Sequence, residues 1–194
     1  AQTPSMLAKD KNKTKSINEN IINSSWLLPQ YINGNKKSEI EKFVLPNGTA
    51  LGKVLQTQNM PPIIEILKNN KIIGYAFETY DWIEGLGYSR KPYHIIVGID
   101  LEGKITGVRL MWHTEPIAIL GRTDEDLHSF LKQLKGININ KGISIVLGLS
   151  DSVLEGDKIA MRGTAGDISQ LQQVDGISRT TTTSLLLNDA VMRA

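Results

Sequence analysis

Ile63-Ile64-Glu65-Ile66-Leu67-Lys68-Asn69-Asn70-Lys71-Ile72-Ile73-Gly74-Tyr75-Ala76-Phe77 reads as a β-hairpin. Two β-rich apolar runs flank Asn69-Asn70, and Asn tolerates the positive φ that tight hairpin turns require. A second pair follows, Tyr93 to Ile99 and Lys104 to Trp112, joined across Asp100-Leu101-Glu102-Gly103. Connections this short force antiparallel pairing, because a parallel pair needs a long crossover.

Working outward, Thr123-Asp124-Glu125-Asp126 starts a helix, with Thr123 and Asp126 at capping-box spacing. Leu127, Phe130, Leu131 and Leu134 share one face, and Gly136 is placed to end it. Ile143 to Leu149 reads as a strand, Asp167 to Gln173 as a short helix, and Leu185 to Met192 as a helix with a buried face. Upstream, Phe43-Val44-Leu45 reads as a short strand closed by Pro46-Asn47-Gly48. Ile21, Ile22, Trp26, Leu27 and Leu28 form an apolar set ahead of Pro29, while residues 1–20 are polar, Lys-rich and suited to a flexible tail. The expectation is an α+β protein: a mostly antiparallel sheet built from hairpins, with packed helices, in one domain over 21–194.

With 194 residues, 40% of them hydrophobic and 22% charged, the chain can bury one sizeable core. A net charge of +2 gives no reason to expect nucleic acid or an anionic membrane surface. Absence of Cys excludes disulfides and thiolate-bound metals within these residues, and His94, His113 and His128 show no ligand spacing, so no metal site is expected.

Three segments carry candidate chemistry. In Asp175-Gly176-Ile177-Ser178-Arg179-Thr180-Thr181-Thr182-Thr183-Ser184, six hydroxyls crowd into seven positions just ahead of the last helix. Helix starts favour Ser and Thr as caps, and they present N–H donors and a positive dipole end to an anion. A polar loop with redundant caps is the plainer reading. Gly85-Leu86-Gly87-Tyr88-Ser89-Arg90-Lys91-Pro92 offers close backbone approach and phosphate donors, or is simply a connection. In His113-Thr114-Glu115-Pro116-Ile117-Ala118-Ile119-Leu120-Gly121, His113 and Glu115 can point the same way from extended backbone, although a structural His explains the pattern as well.

Together these segments resemble the FMN-binding domain family. Residues 175–184 are similar to its flavinylation signature, Asp-Ala/Gly-x-Ser-Gly-Ala-Thr-x-Thr-Ser, with Arg179 and Thr180 in place of Gly and Ala. Gly87 to Pro92 resembles the Gly-Tyr-Ser-Gly-Lys-Pro segment of the NosR-like branch, with Arg90 replacing Gly. His113 to Ile117 resembles that branch's His-His-Glu-Pro-Ile, with Thr114 replacing the second His. The order agrees across residues 72–192, with a family core from about 63 to 194; residues 1–60 add little.

The resemblance implies FMN held by a phosphoester to Thr181, with Ser178, Arg179, Thr180, Thr182, Thr183 and Ser184 around the phosphate. It also implies that Gly87, Tyr88 and Ser89, with His113, Glu115, Pro116 and Gly121, contact the isoalloxazine or ribityl chain. In the NosR-like branch this domain is periplasmic, part of an inner-membrane protein that supports nitrous oxide reductase in activity or maturation. The expected partners are a flavin transferase, nitrous oxide reductase or its maturation machinery, and the remainder of a membrane-bound chain. The protein is expected to be an electron carrier rather than an enzyme with its own substrate, and this chain only the exported domain. Arg179 and Thr180 motivate an alternative, the same fold without covalent flavin, as a periplasmic sensing or docking module. A hydrolase using His113 and Glu115 is a third reading with little behind it.

Overall fold

A computed structural model describes residues 36–141, 143–146, 158–162, 172–177 and 181–194. Its centre is a five-stranded sheet in the order β1 (Ala50–Thr57), β2 (Met60–Lys68), β3 (Lys71–Glu78), β4 (His94–Asp100) and β5 (Ile105–Trp112). Every neighbour pair is antiparallel. The expected hairpins are both present. Asn69 and Asn70 turn the first with φ of 51° and 61°, the geometry that suits the right-handed strand twist. In the second, Asp100 Oδ1 accepts the N–H groups of Glu102 at 2.9 Å and Lys104 at 2.8 Å.

β1 was not visible in the sequence, and β2 begins earlier than its apolar run. Pro61 and Pro62 lie where the β1–β2 register shifts between Leu55 and Thr57. A proline's missing N–H is tolerated at such an irregularity.

The sheet is covered on both faces. On one, Ile64, Ile66, Ala76 and Ile96 pack against Ile40, Val44 and Leu45 from helix α1 (Lys37–Phe43) and its exit. The expected strand at Phe43-Val44-Leu45 is therefore the helix end. Val44 N–H bonds to Ile40 C=O, so these two residues, both 0% exposed, make one apolar stripe. Arg109 anchors α1 from β5, pairing with Glu39 at 2.7 Å and lying 4.1 Å from the Phe43 ring centroid.

On the other face, Tyr93, Ile95, Val97, Val108 and Leu110 meet Leu127, Phe130 and Leu131 of α3 (Asp124–Lys132). The same core takes in β6 (Ile143–Val146), β8 (Gln172–Asp175) and α4 (Thr181–Arg193). At the start of α3, Thr123 N–H bonds to Asp126 Oδ2 at 2.8 Å, the reciprocal half of the expected capping box. A short helix α2 (Tyr80–Ile83) follows β3. A three-stranded sheet runs β7 (Lys158–Arg162), β6, β8, with β6 and β8 parallel.

Gln172 and Gln173, expected in a short helix, belong instead to β8. The Gln172 amide accepts Asn138 N–H at 2.8 Å and donates to Asn138 C=O at 2.9 Å, and the parallel ladder with β6 overrides local helical preference. Residues 167–171, the tail 1–20 and the apolar set before Pro29 lie outside the described residues, as does 147–149 of the expected strand after Ile143.

Gly98 and Gly107 pair beneath the end of α1, where a Cβ on Gly107 would fall on the Phe43 carbonyl oxygen. Gly107→Ala is therefore expected to destabilise the fold by roughly 1–3 kcal/mol in urea unfolding, the usual cost of overpacking; an unchanged midpoint would contradict this packing.

Candidate functional site

Antiparallel alternation sends β3, β4 and β5 up, down and up, so the β3–β4 connection and the segment leaving β5 emerge at one end of the sheet. Glu78, fully buried at the end of β3, caps α2 by accepting the N–H groups of Tyr80 at 3.1 Å and Asp81 at 3.2 Å. Beyond α2, Glu84 takes a left-handed turn, with φ of 48°, into the glycine-bearing loop.

That loop is a small hairpin. Gly87 N–H bonds to Lys91 C=O at 2.9 Å, Arg90 N–H to Gly87 C=O at 3.0 Å, and Leu86 bridges Pro92. Tyr88 and Ser89 form its tip. Arg90 closes it in the left-handed region, with φ of 59°, a shape that suits glycine.

The second loop is held by His113. Its Nδ1 accepts Glu115 N–H at 3.0 Å, which leaves the proton on Nε2 to donate to Asp124 Oδ1 at 3.2 Å. Pro116 then leads into a 3-10 turn, Ile117–Leu120, closed by Gly121 at φ of 69°.

Glu115 joins the pieces. Only 7% exposed, it accepts Ser89 N–H on Oε1 at 3.2 Å and the Thr183 hydroxyl on Oε2 at 3.0 Å. A hydrogen bond of 2.9 Å between the Ser89 and Thr114 hydroxyls adds a second tie between the loops. Gly87 fits only because it has no side chain: a Cβ there would strike the Glu115 carboxylate. Tyr93, buried beneath, is held protonated by burial and then by the negative charge of Glu115, both of which push its phenol well above the ordinary range.

α4 begins at Thr181. Thr183 and Ser184 turn inward, and Ser184 Oγ accepts Ile177 N–H at 2.9 Å, while Thr182 is exposed. Leu187, Ala190 and Val191 form the expected buried stripe. Ser178, Arg179 and Thr180 lie outside the described residues, as does the Thr181 side chain.

The structure thus brings Gly87, Ser89, Glu115 and Thr183 into one network, with His113 bracing it. Tyr88, Pro116 and Gly121 are exposed on the two loops. Tyr93 and Glu78 were not singled out in the sequence, and neither was the buried Asn188, whose Oδ1 has no partner among the described residues. Period-2 alternation places Tyr93 on the face of Ile95 and Val97 and could have flagged it; nothing local marks Asn188.

The FMN-binding domain family matches residues 87–194, from the glycine-bearing loop through α4. The chain belongs to the FMN-binding domain family. It is also similar to regulatory proteins NosR. The Stutzerimonas stutzeri protein is 30% identical over 129 residues, covering 66% of this chain and 15% of that protein. The Pseudomonas aeruginosa protein is 29% identical over 165 residues, covering 83% and 20%. Protein NirI of Paracoccus denitrificans is 26% identical over 77 residues, covering 40% and 11%. The chain therefore spans a fifth or less of these relatives.

The donor set fits FMN. A hydroxyl-rich helix start supplies N–H groups and a positive dipole end for a phosphate, and the loops beside it expose Leu86, Tyr88, Ile119 and Leu120 to a flat apolar ring. No described helix is long and apolar enough to cross a membrane, and no described cluster of His, Asp and Glu is set to hold a metal ion.

Because Arg90 occupies a left-handed position where the similar segment has Gly, Arg90→Gly is expected to stabilise the fold by about 0.5–1 kcal/mol, strain relief exceeding the added chain entropy. A lower midpoint in thermal unfolding would contradict that assignment of strain.

Proposed function

We propose that this FMN-binding domain is an electron-transfer module of a NosR-like membrane protein, with FMN joined to Thr181 by a phosphoester. The observation that carries the reading is the convergence of three motif segments on Glu115, with α4 opening beside them at Thr181. When bound, the flavin supplies one- and two-electron chemistry that no side chain here offers. The protein's own residues bind, orient and shield. The N–H groups of the first turn of α4 would hold the phosphate, with neighbouring hydroxyls and Arg179 as further donors. Gly87, Tyr88 and Ser89 on one loop, with Pro116 and Gly121 on the other, would line the ring or ribityl chain, while His113 and Glu115 fix the loops.

No substrate chemistry is assigned to these residues. Both His113 nitrogens are engaged within the protein, which speaks against pairing it with Glu115 as a hydrolase. Similarity to NosR supports placing the domain on the periplasmic side of an inner-membrane protein that serves nitrous oxide reductase in its activity or maturation. A flavin transferase would load it. Arg179 and Thr180, standing where the signature has Gly and Ala, favour a second reading: the same fold without covalent flavin, as a sensing or docking module.

Intact mass of protein exported alongside an FMN transferase tests the first reading. The expected result is an added mass of FMN less one water, absent in Thr181→Val. No adduct in the wild type would overturn it in favour of the second.

A further inference from the structure

The threonine run poses a selectivity problem. Several hydroxyls sit within one turn of a helix start, and all are chemically alike, so sequence alone does not say why one of them would be esterified. The structure divides them. Thr183 is 6% exposed and its hydroxyl proton is committed to Glu115 Oε2, at 3.0 Å. Ser184 is 0% exposed, with its oxygen accepting Ile177 N–H at 2.9 Å. Helical periodicity keeps both on the stripe that carries Leu187, Asn188 and Val191 into the core, whereas Thr182, about 100° around the helix from Thr183, is exposed.

We infer that Glu115 is a positioning residue for the start of α4: it withdraws Thr183 from the reactive set and locks the first turn against the glycine-bearing loop. The inference rests on the flavin-attachment reading and adds what selects the hydroxyl. In the transfer itself, with a flavin dinucleotide as donor, the bond from threonine Oγ to phosphorus forms while a pyrophosphate P–O bond breaks. The nucleoside monophosphate leaves, and the hydroxyl proton passes to the transferase or solvent. Thr183 is poorly placed for this attack because it is buried: to reach a transferase it must leave the core, break its hydrogen bond to Glu115 and leave that carboxylate under-satisfied. Such a bond biases the population by about tenfold or more. Glu115 acts on both sides at once, since the same carboxylate holds Ser89 N–H on its other oxygen. Loop and helix therefore move together or not at all.

The test is peptide mapping of the adduct in wild type, Thr181→Val, Glu115→Ala, and the Thr181→Val/Glu115→Ala double variant, each loaded by the transferase. The expected pattern is one adduct in the wild type, none at Thr183 in Thr181→Val, and Thr183 modified at least about tenfold more in the double variant. Modification of Thr183 in Thr181→Val with Glu115 intact would overturn the inference, as would a double variant that is loaded elsewhere but never there.

Hydrogen exchange in the unloaded protein judges the same claim without flavin. Glu115→Ala is expected to speed exchange jointly in residues 87–91 and the first turn of α4, with α3 unaffected and Glu115→Gln partly restoring protection. Unchanged exchange in both segments would overturn it. If Glu115→Ala does not fold, Thr183→Val replaces it and is expected to loosen the first turn of α4. A wild type that takes no adduct, or takes it at Thr182, counts against the Thr181 assignment alone, and exchange still decides the role of Glu115.

Discussion

A buried carboxylate is costly unless its oxygens are paired, and Glu115 meets that requirement by reaching two segments far away in sequence. Ser89 lies 26 residues before it and Thr183 lies 68 after. Neither bond can form unless β3, β4 and β5 have brought their ends to one side of the sheet and α4 has packed on the same core as Ile95 and Val97. The carboxylate therefore acts as a check on the assembled fold. Once α4 is undocked or the loop displaced, Glu115 loses a donor.

In the proposed flavin-loaded state, one electrostatic resource would serve two anions. The first turn of α4 favours negative charge, and Glu115 already lies against Thr183 in that turn. A phosphate at the same helix start would feel the same field while facing the carboxylate. Repulsion would be limited by the donors that Ser89 and Thr183 already give the Glu115 oxygens. Burial, and then the neighbouring carboxylate, push the Tyr93 phenol well above its ordinary range.

The sequence exposed the parts of this fold that local pattern controls. Apolar runs on either side of Asn69-Asn70 and Asp100 to Gly103 were enough for four strands, and a 3.6-residue period was enough for α3 and the buried stripe of α4. It failed where a partner far off in the chain decides. Phe43 to Leu45 has strand-like composition, but Ile40 and Val44 form one helical stripe once the sheet lies beneath them. Pro61-Pro62 hid the start of β2 because a bulge opposite β1 makes room for them. Gln172 joins a parallel ladder that begins 29 positions earlier at Ile143. The site divides in the same way. Its motif segments were readable by resemblance, whereas the bond from Glu115 to Thr183 has no local signature at all.

The most direct measurement is an experimental structure of the flavin-loaded domain. The expected result places the phosphate at the first turn of α4, with the ring over the loops 85–92 and 113–121. Glu115 should still be bonded to Ser89 N–H and the Thr183 hydroxyl. A flavin phosphate bound away from that turn, or a Glu115 side chain turned out of both bonds while the cofactor remains seated, would contradict the central role given to this carboxylate.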